Sequence, residues 1–210
     1  MSNILIASDS KYYTTWGLNC LRSIRKYVPW LNVHAVIVNP NKDYEKIKGV
    51  NYYEDHVTFP NDNCKVAYYQ AVRFIKCGEL FNDKNLVMSI DCDTVLTRSF
   101  TKDEFTNVCT TIHVQRHQKA DRWMAGLVTY GNTNDFRNEL RKRLLALPLE
   151  NWDYGWDQTV LNQLANEFKF VPLPVGDWMS FGKGKGTFLT LKGSQKLKDK
   201  FLKNYNNYVS

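Results

Sequence analysis

Asp91 and Asp93 stand one residue apart at the end of the apolar run Leu86-Val87-Met88-Ser89-Ile90. Two carboxylates held at the carboxyl end of a buried strand make an oxygen anchor for a divalent cation. A cation there can carry a phosphate or diphosphate. Successive side chains of an extended chain point to opposite faces, so the backbone must turn near Cys92 for both carboxylates to serve one site. A strand that simply ends in solvated acids fits the same residues.

Other chemistry-bearing residues are scattered along the chain. Asp9 and Tyr12 follow the apolar stretch Ile4–Ala7. A carboxylate there can accept from a base or ribose and an aromatic can stack on a base; an acidic helix cap beside a buried tyrosine fits equally. Lys65 and Arg73 lie on or beside one helix and suit a diphosphate or the acidic pair, arginine making the stronger charge-assisted contacts. For Lys65 a plain surface place fits as well. The run Gly182-Lys183-Gly184-Lys185-Gly186 offers backbone N–H groups and the cations Lys183 and Lys185 with little bulk, which suits a diphosphate or, alternatively, a surface hairpin. It lacks the spacing of a Walker A loop. Trp156-Asp157-Gln158 sets a carboxylate and an amide at a helix start, where capping explains Asp157 but not Gln158. The four histidines form no H-E-x-x-H zinc motif, and no G-x-S-x-G elbow supports a serine hydrolase.

These residues need a scaffold, and hydrophobic periodicity supplies one. Ile4–Ala7, Val33–Val38, Val50–Tyr53 and Leu86–Ile90 read as strands. A helix carries Trp16, Cys20, Ile24, Tyr27 and Val28 and is closed by Pro29. A second helix runs from Lys65 to Leu80, with Val66, Tyr69, Val72 or Phe74, and Leu80 on its buried side. This alternation predicts an α/β domain with a largely parallel sheet, whose ligands lie at the carboxyl ends of the strands, where Asp9 and Asp91 fall. The second half is mixed. Strands are expected at Val108–Val114 and Gly126–Tyr130, and helices at Asn134–Leu147 and Gln158–Phe168. A short edge strand follows at Phe170–Leu173, then a strand after the Gly-Lys loop and a last helix begun by Ser194. One domain over residues 1–210 is expected, without repeats or linker.

Composition narrows the class. At 210 residues, 43% hydrophobic and 23% charged, the chain can build a sizeable core. The net charge of +7 favours anionic partners such as nucleotides, nucleic acid or a membrane surface. Much of it lies near the carboxyl terminus, in Lys183, Lys185, Lys192, Lys196, Lys198, Lys200 and Lys203, which also fit a solvated helix face. Five cysteines, odd in number and without a C-x-x-C pair, read as reduced thiols of a cytoplasmic protein with no structural zinc. The opening residues read as a first strand and not a signal peptide, and no apolar run is long enough to span a bilayer.

In their order, these segments resemble the nucleotide-sugar glycosyltransferases of the GT-A fold, particularly the glycogenin- and galactosyltransferase-like family 8. Ile6-Ala7-Ser8-Asp9 with Tyr12 is similar to that family's nucleotide-binding opening. Tyr68-Tyr69-Gln70-Ala71-Val72-Arg73-Phe74 is similar to the helix that brings an arginine close to the donor. Ser89-Ile90-Asp91-Cys92-Asp93-Thr94-Val95-Leu96 is similar to the metal-binding D-x-D segment. Ala125-Gly126-Leu127 and Trp156-Asp157-Gln158-Thr159-Val160-Leu161-Asn162 resemble the acceptor-side glycine segment and D-Q-x-x-L-N helix.

The resemblance implies a single GT-A (Rossmann-like) domain. Its nucleotide-sugar half spans residues 1–100 and its acceptor half residues 101–210. It implies Mn²⁺ or Mg²⁺ on Asp93, with Asp91 shared between metal and donor, and the donor a nucleoside-diphosphate sugar, foremost a UDP-sugar. Ala7, Ser8, Asp9, Tyr12, Lys65, Arg73, Asp91, Cys92, Lys183 and Lys185 would bind the donor, with Asp157 and Gln158 at the reacting sugar. The family's members typically retain anomeric configuration, which would set Gln158 or Asp157 near the donor's β-face. The family also takes a third metal ligand from a later histidine, and none follows His117 here. Thr190, Asp177 or solvent would replace it, with the Gly-Lys loop neutralising part of the diphosphate charge.

Two other classes compete. Asp91-Cys92-Asp93-Thr94-Val95 also fits the nucleophile segment of a haloacid-dehalogenase-type phosphatase, with Asp91 attacking phosphorus. That strand normally opens the chain, whereas 90 residues precede it here, and the expected second downstream carboxylate is missing from Trp178-Met179-Ser180-Phe181, which follows Gly176-Asp177. A basic nucleic-acid-binding module would use the lysine-rich terminus but leaves the acidic pair unexplained. A glycosyltransferase acting on nucleic acid or another anionic polymer would combine the two.

Overall fold

Along the first strand, β1 (Ser2–Asp9), Ile4 and Ile6 enter one apolar cluster while Leu5 and Ala7 enter another. Period-2 alternation with apolar residues at every position from Ile4 to Ala7 requires both faces to be covered, as in a parallel α/β sheet. A computed structural model, describing residues 1–41, 43–117, 121–132, 134–173, 178–181 and 186–190, shows that arrangement. Strands β2 (Asn32–Val38), β3 (Val50–Asp55) and β4 (Leu86–Ile90) join β1. Further along the chain come β5 (Thr94–Leu96), β6 (His113–Arg116), β7 (Trp123–Thr129), β8 (Val171–Pro172), β9 (Met179–Phe181) and β10 (Phe188–Thr190). The main sheet has seven strands in the order β3-β2-β1-β4-β7-β6-β8. Its first four strands run parallel, β7 runs antiparallel to β4 and β6, and β8 is parallel to β6. A small second sheet, β5-β10-β9, packs its Leu96, Met179 and Phe188 into the β1 Ile4–Ile6 cluster.

Helices cover both faces. On the Ile4–Ile6 face, Asp9 caps a helical segment that starts as α1 (Ser10–Tyr12), widens into a π turn over Tyr13–Gly17 and continues as α2 (Leu18–Tyr27). Gly17 admits the Tyr13 ring, since a Cβ there would meet the Tyr13 Cδ2 at 2.7 Å. The segment ends where Pro29 forces Val28 out of helical geometry. The opposite face is covered by α3 (Asp62–Leu80), α5 (Asn134–Leu144) and α6 (Trp156–Leu164). None of the described helices is long and apolar enough to cross a membrane.

Several expectations needed correction. Val108 and Cys109, expected to begin a strand, close α4 (Lys102–Cys109), and β6 begins only at His113. The local reason is a capping box. Thr101 accepts from the Glu104 N–H at 3.1 Å and the Glu104 carboxylate accepts from the Thr101 N–H at 2.7 Å. Helix α3 starts at Asp62 because Asn61 caps it, and its buried stripe runs through Cys64, Ala67, Ala71, Phe74 and Ile75 with Val66 turned outward. Helices α5 and α6 end earlier than their hydrophobic patterns suggested, at Leu144 and Leu164. Asp157 does not cap α6; Gly155, at φ +81°, occupies that position. The edge strand around Val171 and the strand after the Gly-Lys loop are present as β8 and β10. Asp177, Lys183, Lys185, the lysine-rich terminus and the helix expected from Ser194 lie outside the described residues.

Candidate active site

Because β1 and β4 are parallel neighbours, their carboxyl ends deliver Asp9 and Asp91 to the same sheet edge. A cavity of about 1360 Å³ opens there. Ala7, Ser8, Asp9 and Tyr12 line it from the end of β1, Arg73 from α3, and Asp91, Cys92 and Asp93 from the turn after β4. Gly126 of β7, Asp157 and Gln158 of α6, and Thr190 of β10 complete this part of the wall.

The turn between the two carboxylates is present. The Thr94 N–H donates to the Asp91 carbonyl at 3.1 Å, and the Asp91 N–H donates to the Gly126 carbonyl at 2.9 Å. Between them Cys92 is buried in the core. Burial, the carboxylates Asp93 and Asp91 and the nearby Cys20 push its thiol pKa well up, so the thiol stays protonated. Asp93 is fixed from the other side, its Oδ2 accepting from the Tyr12 hydroxyl at 2.7 Å. Burial and the Asp93 charge push the Tyr12 pKa up, which keeps Tyr12 a donor. Asp9 acts as a cap, its Oδ1 accepting from the N–H groups of Lys11 and Tyr12 at 2.8 and 3.0 Å. Capping thereby also sets the position of the Tyr12 ring.

Arg73 is the electrostatic centre of the opposite wall. Its Nη2 lies 2.9 Å from Asp91 Oδ1 and 3.6 Å from Asp157 Oδ2. The same nitrogen donates to the Ala125 carbonyl at 2.9 Å, and the guanidinium lies 4.5 Å from the Phe74 ring centre. Arg73 and Asp157 are only 4% and 2% exposed, so a desolvated cation holds two carboxylates together. Burial raises the Asp157 pKa above the ordinary carboxylate value while Arg73 pulls it down. Asp157 Oδ1 also accepts from the Gln158 N–H at 2.8 Å, leaving the half-buried Gln158 side chain turned to the cavity.

Lys65 does not line the cavity. It pairs with Asp62 at 3.7 Å and borders a smaller pocket with Phe59, Asn61 and Tyr69, because it stands two turns before Arg73 on α3. Gln115, Met179 and Thr94 carried no expectation from sequence. A Cβ on Gly126 would stand 3.0 Å from Gln115 Oε1, 3.1 Å from Met179 Cε and 3.2 Å from Asp91 Oδ2. Glycine is what lets these three groups crowd the turn. Thr190 shares a 2.6 Å hydroxyl contact with Thr94, tying the exit of the acidic turn to β10.

The donor set fits a hard divalent cation held partly by the protein. Asp91 and Asp93 offer carboxylate oxygens and Thr190 a hydroxyl, and a magnesium-type site often takes only one or two carboxylates, with substrate phosphates completing it. Among the described residues no group of three or more His, Cys, Asp or Glu side chains forms a self-sufficient metal cage. No family model and no curated protein matches this sequence.

Proposed function

We propose that the protein transfers a sugar from a nucleoside-diphosphate sugar, with a UDP-sugar the first donor to test, to an acceptor hydroxyl. The observation that carries this reading is the acidic turn itself. Asp91 and Asp93 project from the end of a central parallel strand into a large cavity, flanked by the Asp9–Tyr12 segment on one side and by Arg73, Asp157 and Gln158 on the other. The acceptor oxygen bonds to the anomeric carbon, and the bond from that carbon to the diphosphate oxygen breaks with its electron pair leaving on the diphosphate. The acceptor proton passes to the departing phosphate or to water. Mn²⁺ or Mg²⁺, held by Asp91 and Asp93, would supply positive charge against the charge developing on the diphosphate.

The chain's own residues have defined parts. Tyr12 keeps Asp93 oriented. Arg73 holds Asp91 and Asp157 in one geometry and brings positive charge to the donor's side. Gln158 presents an amide to the reacting sugar. The five free, buried thiols support a reducing, cytoplasmic setting. The phosphatase alternative asks Asp91 to attack phosphorus, but its Oδ1 is occupied by Arg73, which draws charge from a nucleophile.

Asp93→Ala is the test. Transfer and donor hydrolysis, measured by release of the nucleoside diphosphate, should fall by about two orders of magnitude or more, with the circular dichroism spectrum unchanged. Full activity in that variant overturns the mechanism. A thermal-shift panel of nucleoside diphosphates with and without Mn²⁺ addresses the donor directly, since binding to the folded state raises apparent stability.

A further inference from the structure

Beside the acidic turn, one buried amide is uncommitted. Gln115 of β6 is only 3% exposed, and neither end of its side-chain amide makes a hydrogen bond with the described residues. Buried polar groups are ordinarily paired, because leaving one unpaired costs stability. The ladder around Gln115 is interrupted. Val114 pairs with Val128, and the next residue, Gln115, pairs with Met124. Ala125, Gly126 and Leu127 of β7 therefore have no counterpart on β6. Such bulges re-aim side chains beside functional sites, and this one serves the acidic turn. Its Ala125 carbonyl accepts from Arg73 and its Gly126 carbonyl from the Asp91 N–H, both at 2.9 Å.

The same bulge turns Gln115 toward Asp91. The point where a Cβ on Gly126 would stand is 3.0 Å from Gln115 Oε1 and 3.2 Å from Asp91 Oδ2. Because residue 126 is glycine, no side chain of its own wedges the two apart. Asp91 Oδ1 is taken by Arg73 at 2.9 Å, whereas Oδ2 makes no hydrogen bond with the described residues. Two acceptors thus face each other with no donor between them. Rotation about the Cγ–Cδ bond of Gln115 exchanges Oε1 and Nε2 with almost no change of shape, and no hydrogen bond holds the amide against it. The carboxylate oxygen then receives an N–H, a charge-assisted bond strengthened by the burial of the amide.

We propose that Gln115 is a positioning residue for Asp91: its Nε2–H donates to Oδ2 while Arg73 holds Oδ1, so that the carboxylate keeps one orientation. Gln115 touches neither substrate nor metal. It acts through Asp91, as the outer partners of metal-binding carboxylates do. Its value to a cation rests on the sugar-transfer reading, but the contact itself is tested without it. In the metal-free full chain, urea midpoints are measured for Gln115→Met, Asp91→Ala and the double variant. The side chain introduced at 115 matches glutamine in length and offers no N–H. The losses of the single variants should not add, the double variant losing clearly less than the two together. Additive losses overturn the proposal. The second measurement is one that a merely structural role would leave unmoved: the Mn²⁺ concentration giving half-maximal UDP-induced thermal stabilisation. It should rise about tenfold or more in Gln115→Met, and likewise in Gln115→Glu, which keeps the shape but cannot donate. Unchanged Mn²⁺ dependence in Gln115→Met overturns the proposal and leaves sugar transfer standing. Tighter Mn²⁺ binding by Gln115→Glu also overturns it, since residue 115 would then be a direct ligand. No Mn²⁺-dependent shift in the unaltered protein removes the sugar-transfer reading, and non-additive midpoints then still uphold the contact.

Discussion

The two walls of the cavity are built on opposite principles. Around the acidic turn every charge is committed: Arg73 to Asp91 and Asp157, Tyr12 to Asp93, Asp9 to the start of α1. Beyond Asp157, the side chains of Gln158, Thr159, Gln163 and Asn166 face the cavity uncharged and make no hydrogen bond with the described residues, and the anchoring is delegated to neighbours such as the buried Trp152 and the half-buried Asn162. Preorganised charge is what a reacting diphosphate needs, because dipoles and charges already in place cost nothing to reorient during reaction. Adaptable neutral groups suit an acceptor that must enter and leave. Removing a residue from the first wall should therefore cost folding stability, and removing one from the second should cost only binding.

Arg73→Met tests the first half of this contrast and should have the largest effect. It strands Asp91 and the buried Asp157 without their cation, and breaking such a buried pair costs about 3–5 kcal/mol. Urea unfolding at neutral pH measures it. The deficit should shrink as the pH falls, because the folded variant then retains a proton on Asp157 more readily than the unfolded chain does. Arg73→Lys keeps the charge but loses the planar fork, and should fall between the two. A cost for Arg73→Met near that of a surface substitution would break the comparison.

An acid titration must first be cleared of a group that belongs to neither wall. His34 is buried between Asn3 Oδ1 and the Tyr53 hydroxyl, each 3.2 Å away, and burial lowers its pKa from 6.5 to about 4. The unfolded chain binds the proton more tightly, so the neutral ring contributes stability that is complete above pH 6.5 and is lost as the pH falls toward 4. The integrated loss is about 2–3 kcal/mol. In His34→Gln the stability should change less over this interval; an unaltered slope would assign the acid lability to the carboxylates.

How far the two walls could be read from sequence differs for the same physical reason. The parallel half of the fold was legible because β1, β2 and β4 carry mainly apolar runs, interrupted only by His34 in β2 and Ser89 in β4, and the acidic pair sits where such strands end. The turn at Cys92 followed from strand geometry once both carboxylates were asked to serve one site. Arg73 was legible as a charge near the acids, but its burial between two of them was not, because a pattern of residue types does not reveal which partner desolvates another. Residues 108–114 looked like a strand because Val108, Cys109 and Val114 suit one. The Thr101-x-x-Glu104 capping box was the signal that pointed to helix first. Tyr154, at the lip of the cavity, gave no periodic signal, since its place depends on two tryptophans whose anchoring acceptors, Leu144 and Leu147, come from the end of α5 and the turn that follows. The Thr94–Thr190 contact joins residues 96 positions apart and has no local signature.

That contact supplies a smaller test of how firmly the acidic turn is held. Thr190→Val keeps the shape and removes one hydroxyl of a buried pair, which should cost about 1 kcal/mol or somewhat more, since the Thr94 hydroxyl is left without its partner. If Thr190 also helps to hold the cation, the Mn²⁺ concentration needed for half-maximal UDP-induced stabilisation should rise in the variant. A stability change with unaltered metal dependence confines Thr190 to fastening β5 against β10.

The smallest expected effect carries the most information about the second wall. Tyr154 and Gln163 are both exposed, and neither side chain makes a hydrogen bond with the described residues. Tyr154→Ala and Gln163→Ala should each change unfolding free energy by no more than about 0.5 kcal/mol, at least sixfold below the cost expected for Arg73→Met. A ring left in water at the lip of a cavity gains nothing from folding, so its truncation should be silent in the denaturant midpoint. A loss above 1 kcal/mol for Tyr154→Ala would mean that the ring supports the Trp152–Trp156 loop, and the wall would then be structural in the same sense as Arg73. A silent midpoint separates the two walls: one is held by its charges, the other stands ready on a scaffold that does not need it.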